Sequence, residues 1–169
     1  IVVLVAYSTR SIWIDACSRG ASRLRALLLA GGFFAIVVVV WVATEHLPIF
    51  AAVVSNYWDA YSYQNVVNAV RDCLWLGFRN SPYQYVLAAL VWVGVVASLR
   101  RITGRWLLPP LVFFLVAFVA TATLGYGNSF EMLISGFWYN DIDRIAACVA
   151  FVSMPFSVLG LRVVLDHVR

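Results

Sequence analysis

The sequence predicts an all-α integral membrane protein: four transmembrane helices plus the end of a fifth, with an amphipathic interfacial helix in the first outer loop. Three observations carry this expectation. Hydrophobic residues make up 63% of the chain and charged residues 12%, against roughly 45–50% and about 25% in an ordinary soluble domain. The charges fall in clusters, and long uncharged runs lie between the clusters. A soluble fold could not draw a polar surface from this composition. A bilayer demands it, because a charge at mid-membrane costs about 2.5–3.5 kcal/mol.

The spans read off in order. Residues 1–9 look like the end of an earlier span, and uncharged runs at 26–44, 80–99, 106–130 and 145–161 follow. Each approaches the length needed to cross roughly 30 Å of hydrocarbon at about 1.5 Å per residue. The run 106–130 is the longest and has room to tilt, while 145–161 is the shortest. Gly31-Gly32 and Pro109-Pro110 fall near the ends of their spans, and Pro155 falls inside the last, where a missing donor predicts a kink. The chain begins at Ile1 within an apolar run and shows no signal-peptide pattern, so it reads as one helical bundle cut from a longer polytopic protein.

The arginines set the expected orientation. Arg10, Arg19, Arg23, Arg25, Arg100, Arg101, Arg105, Arg162 and Arg169 share a side if the spans alternate, leaving Arg71, Arg79 and Arg144 on the other. That second side also holds Glu45, Asp59, Asp72, Glu131, Asp141 and Asp143. The positive-inside rule then makes the arginine-rich loops cytoplasmic and the protein a multi-pass protein of the cell membrane.

The first outer segment begins apolar at Pro48–Val54 and continues with Tyr57, Trp58, Tyr61 and Tyr63, which suit an interfacial aromatic belt. Residues 65–78 then take helical spacing. Val67, Val70, Leu74 and Phe78 share one face, and Asn65, Asn68, Asp72 and Arg79 lie roughly opposite. This predicts a helix that rests its apolar stripe on lipid or on the bundle and turns Asn68 and Asp72 to water or a cavity.

The second outer segment concentrates rings and charges: Trp138, Tyr139, Asn140, Asp141, Asp143 and Arg144. Much of it has a structural explanation. Asn140 suits an N-cap, Asp141 and Asp143 favour the positive end of the following helix, and the rings suit the belt. Arg144 does not fit so simply, because a cation in a first helical turn opposes the dipole and calls for a partner such as Asp141, Asp143, Glu131 or an anion. A helix start with an arginine suits phosphate, and carboxylates beside rings suit a sugar. Trp138, Tyr139, Asp141, Asp143 and Arg144 are therefore the candidate substrate-binding residues.

Other features carry less. Glu45-His46 has no second ligand set at matching spacing, and no metal or cofactor is expected. Cys17, Cys73 and Cys148 are odd in number and suit free thiols, with a Cys73–Cys148 bridge as the alternative. No phosphate-cradling loop or nucleophile elbow occurs, no catalytic residue can be named, and the lipid bilayer, not a nucleic acid, is the expected partner.

The order of these features resembles a family of large, uncharacterised actinobacterial membrane proteins that look like distant relatives of the GT-C glycosyltransferases. The resemblance rests on Tyr83-Gln84-Tyr85-Val86 entering a span that ends in Arg100-Arg101, Trp106 opening the next, and Trp138-Tyr139-Asn140-Asp141 with Arg144 leading a span that holds Pro155 and Gly160. It implies an outer-face site that takes a polyprenyl-phosphate-linked sugar and works through a carboxylate base. The family's catalytic acid usually sits in an early outer loop, which this stretch does not match. Two other classes compete: a transporter or flippase, and a structural or assembly subunit with no chemistry of its own. A transporter would show inverted repeats and polar residues at mid-depth, and these spans show neither.

Overall fold

The computed structural model describes residues 2–54, 64–78, 81–100, 102–124 and 128–168. The described residues form helices α1 (Val2–Ser18), α2 (Arg23–Glu45), α3 (Pro48–Val54), α4 (Val66–Trp75), α5 (Tyr85–Arg100), α6 (Leu108–Thr123), α7 (Ser129–Ser135) and α8 (Ile142–Val168). Short 3-10 turns, Ile102–Leu107 and Gly136–Trp138, precede α6 and follow α7. Tyr57, Trp58, Tyr61 and Tyr63, expected in the aromatic belt, lie outside the described residues.

Among the described residues, three helices are long and apolar enough to cross a membrane: Arg23–Glu45, Gly104–Thr123 and Ile142–Val168. The remaining expected span, 80–99, is the helix Tyr85–Arg100 of 16 residues, about 24 Å of rise, short of a usual crossing. Along α2 the burial is limited to Ala26, Ala30 and Glu45, while Leu27, Leu28, Phe34, Ile36 and Val39 stand exposed. Water would not tolerate so continuous an apolar surface, and lipid accepts it. The described residues form an all-helical fold, and its apolar helices are those of a membrane protein.

The helix limits follow local chemistry more closely than charge spacing. α1 continues past Thr9 to Ser18 with Arg10 and Asp15 inside it. Gly20, at φ +76°, then turns the chain, and the Ser22 hydroxyl caps α2 by accepting from the Arg25 amide at 3.3 Å. α5 starts at Tyr85 rather than at residue 80, because the stretch before it contains Pro82 and sends the Gln84 amide to the Trp75 carbonyl at 2.9 Å. Pro109 and Pro110 occupy the first turn of α6, where no amide donor is missed. That helix stops at Thr123, short of residue 130, and Asn128 caps a new one by accepting from the Phe130 and Glu131 amides. α8 is the longest helix at 27 residues, running through Pro155 and past Arg162, well beyond 145–161.

The core lies where α8 packs on α5 and α6. Val149, Val152 and Phe156 meet Leu111, Phe114 and Phe118 there. Backbone approach is closest between α5 and α8, where Gly94 abuts the Phe156 carbonyl and Gly160 abuts the Leu90 carbonyl. Small residues allow such contact, which is how membrane helices associate when lipid is as apolar as leucine.

α4 forms close to its expected position, with Asn65 capping it at 2.9 Å to the Asn68 amide. Its apolar stripe takes the lipid side of the two expected placements, while Asp72 departs from expectation. Ala69, Asp72, Cys73 and Leu76 pack inward, whereas Val67, Val70 and Leu74 stay exposed. Asp72, expected to face water or a cavity, is instead buried and accepts from the Tyr83 hydroxyl at 3.3 Å. The physical reason is size: the face with alanine and cysteine lets α4 approach α6, and the valine stripe is left for lipid. Phe78, beyond the helix, does meet the bundle, with its ring 4.8 Å from that of Phe118. Cys17, Cys73 and Cys148 are free thiols. Burial pushes the Cys73 thiol up to about 12, helped by the neighbouring Asp72 charge, so it behaves as an inert apolar group.

Candidate functional site

The turn that joins α7 to α8 gathers most of the sequence-predicted residues. After the 3-10 turn, Tyr139 (φ +60°) and Asn140 (φ +51°) both adopt left-handed backbone, which reverses the chain within two residues. The reversal buries Asn140 at 2% exposure. Its Oδ1 lies 2.7 Å from the Ser135 hydroxyl, which is also 2.7 Å from the Glu131 carbonyl. Asn140 is therefore an internal tie between α7 and the turn and not the N-cap expected of it. Asp141 caps α8 instead, accepting from the Asp143 amide at 2.9 Å and the Arg144 amide at 3.4 Å.

Arg144 is paired, as its unfavourable position in the first turn demands. Its Nε lies 3.1 Å from Asp141 Oδ2, and its guanidinium carbon lies 4.7 Å from the centre of the Tyr139 ring. The ring and the carboxylate hold the planar group in one orientation. The Arg144 side chain remains 51% exposed, while that of Asp141 is 14% exposed. Of the five N–H donors on a guanidinium, several stay available to a further anion. Asp143 is exposed beside this pair.

Trp138 does not join the group. Its ring lies 5.4 Å from Phe114, 6.0 Å from Phe113 and 5.9 Å from Trp41, inside the bundle. One side of this large ring packs on the rings of α6 and α2 while the side chain stays partly exposed. The structure thus unites Tyr139, Asp141 and Arg144, keeps Asp143 adjacent, and packs Trp138 against the bundle.

Behind the turn lies one of the outer-side acids, expected as a possible partner for Arg144. Glu131, on α7, is 3% exposed, and its Oε2 has no hydrogen-bond partner. Burial pushes its carboxyl up to about 7 from an ordinary 4.5. A second acid stands nearby through Trp41, whose indole N–H is shared between Glu45 Oε1 at 2.9 Å and the Leu133 carbonyl on α7 at 3.0 Å. Glu45 is thus engaged with Trp41, and His46 stays local with its Nδ1 2.8 Å from the Val42 carbonyl. Among the described residues no three His, Cys, Asp or Glu side chains gather as metal ligands. Sequence could have flagged Glu131 through its place in a run of mostly apolar residues, Phe130–Ile134, that the cap at Asn128 makes helical.

No curated protein and no solved structure matches the chain. The sequence pattern of a family of unknown function, DUF6541, matches residues 1–169, and the chain belongs to that family.

Proposed function

We propose that the chain is part of a cell-envelope membrane protein that acts like a GT-C glycosyltransferase and holds a polyprenyl-phosphate-linked sugar at the turn opening α8. The observation that carries this reading is the half-exposed Arg144, fixed by Asp141 and by the Tyr139 ring. A pre-set guanidinium with free donors at a helix start suits a phosphate or a carboxylate, and the exposed Asp143 beside it suits sugar hydroxyls. Replacing Arg144 by Lys keeps the charge and removes the planar fork. Replacing Asp141 by Asn keeps a capping oxygen and removes the ion pair. Each change is expected to leave protein abundance normal while lowering transfer to envelope glycan roughly tenfold, the loss of about one charge-assisted hydrogen bond. Normal glycan at normal abundance in both variants would reject the reading.

A non-catalytic structural or assembly subunit is the second reading. It is favoured by Asp141, whose oxygens already serve the cap and Arg144. Under that reading the same substitutions lower abundance and leave no separate effect on glycan.

Sidedness belongs to the same proposal. With the arginine-rich loops cytoplasmic, a reporter fused after Arg101 is expected to behave as internal and one inserted near Asn128 as external. Both reporting the same side would mean that α6 does not cross.

A further inference from the structure

A groove of about 780 Å³ runs between α1, α2, the start of α6 and α7, within the size range of ligand sites. Its walls are apolar, with Ala6, Trp13, Phe34, Val38, Trp41 and Phe113 among them. Two cations break that pattern, Arg10 and Arg105. The Tyr7 ring meets the Trp106 ring edge-on at 5.5 Å. That contact brings the middle of α1 to the turn before α6, so Arg10, about one helical turn beyond Tyr7, and Arg105, next to Trp106, stand at the same end of the groove.

Arg10 is half-buried in a helix dominated by apolar residues, and no acid or carbonyl partners it among the described residues. Asp15, the acid of that helix, is engaged by Arg19 at 3.0 Å. Arg105 gives its Nε and Nη2 to the Leu99 carbonyl, at 3.0 and 2.6 Å, and pairs with no acid among the described residues. Arg10 is half-buried and Arg105 exposed beside these apolar walls, and paired cations at a membrane surface attract anionic headgroups. A soluble anion would compensate the charge but leave the apolar walls unfilled. A lipid answers both demands at once.

We infer that this groove binds an anionic phospholipid, with its acyl chain along the apolar walls and its phosphate between Arg10 and Arg105. Guanidinium matches phosphate in bidentate fashion, and clustered cations near the bilayer surface select anionic over zwitterionic headgroups. The Arg144 turn contributes no residue to this groove, so the inference stands apart from the proposed sugar site.

The test uses the full chain in nanodiscs of phosphatidylglycerol or of phosphatidylcholine, followed by native mass spectrometry and thermal melting. Retention of phosphatidylglycerol, with melting raised relative to phosphatidylcholine, is the expected result. Arg10→Gln should reduce retention about tenfold, and Arg10→Lys should restore part of it, which separates loss of charge from loss of fold. Inorganic phosphate at millimolar concentration should not displace the lipid, because it leaves the apolar walls empty. Equal retention of both lipids would overturn the inference. So would displacement by free phosphate, or an Arg10→Gln variant that retains as much lipid as the parent. An empty groove in both nanodiscs would overturn it too and assign the space to another protein segment.

Discussion

Replacing Gly94 or Gly160 by Ala is expected to pull α5 and α8 apart and to cost about 3 kcal/mol or more, at or above the upper end of ordinary overpacking. A methyl group on Gly94 would fall inside the van der Waals envelope of the Phe156 carbonyl, and one on Gly160 inside that of Leu90. The obstacle in each case is backbone, so no rotamer change relieves it, and the helices must separate. Separation also forfeits the dispersion and Cα–H···O contacts that hold membrane helices together where lipid supplies no hydrophobic drive. Gly31 and Gly32 provide the control. Both lie within α2, and an added Cβ at either meets nothing within 4 Å, so Ala there should be neutral or stabilising by about 0.5–1 kcal/mol. Thermal melting and protease sensitivity in detergent read the contrast. The double variant Gly94→Ala, Gly160→Ala should be less harmful than the two single effects combined, because the first methyl already opens the shared interface. A Gly94→Ala variant as silent as Gly31→Ala would show that the close approach contributes little.

The membrane class and the body of α2 were legible because composition alone decides them: a residue run that apolar has no other solvent to live in. Helix ends were less legible, for a specific reason. Charges mark where a chain leaves hydrocarbon, not where its hydrogen-bond ladder stops. α8 therefore runs on past Arg162, and α1 past Arg10, since arginine is a good helix former. The converse error appears in α6. The residues after Thr123 carry no charge before Glu131, yet the helix ends there and a capped α7 replaces it. On α4 the sequence left the cover of Val67, Val70 and Leu74 open between lipid and bundle and misplaced Asp72, because periodicity says where the apolar stripe is and not whether protein or lipid will cover it. In water those are the same question, and in a bilayer they are not.

At the candidate site, the pairing of Arg144 with Asp141 was legible because it follows from a single helix and its dipole. The ring packing of Trp138 and the burial of Asn140 were not, since both depend on left-handed backbone at Tyr139 and Asn140. Tyrosine gives no hint of that conformation, which asparagine tolerates and most side chains avoid. The turn sends Trp138 inward to Trp41 and Phe114 and leaves Tyr139 stacked on Arg144. Two neighbouring rings that read alike in sequence thus end in opposite roles.

Glu131 should make stability fall as pH rises towards neutrality, and Glu131→Gln should abolish that fall. Its carboxyl titrates near 7 in the folded protein against an ordinary 4.5, because burial penalises the charged form. A folded-state value above the unfolded one means that the folded protein holds the proton more tightly. The resulting stability is fully present below about pH 4.5 and is lost as pH rises through about 7. The difference corresponds to roughly 3 kcal/mol, a large share of the usual margin. Gln keeps the shape, carries no charge at any pH, and offers the unpartnered Oε2 position a neutral amide. Melting of the parent protein should drop by several degrees between pH 5 and pH 8, while Glu131→Gln should stay level across that range and exceed the parent at pH 8. Glu45, bonded to Trp41 beside α7, is the other buried acid on this wall. Glu45→Gln in the Glu131→Gln background separates the two: a residual slope that vanishes with the second change belongs to Glu45. A parent protein with flat melting from pH 5 to pH 8 would mean that Glu131 reaches water or a cation and ionises without penalty. If the slope exists, the same variant tells whether the charge matters to function. Retained glycan transfer at pH 8 in Glu131→Gln would make Glu131 a structural acid, and lost transfer in a more stable protein would make it the carboxylate that the proposed site requires.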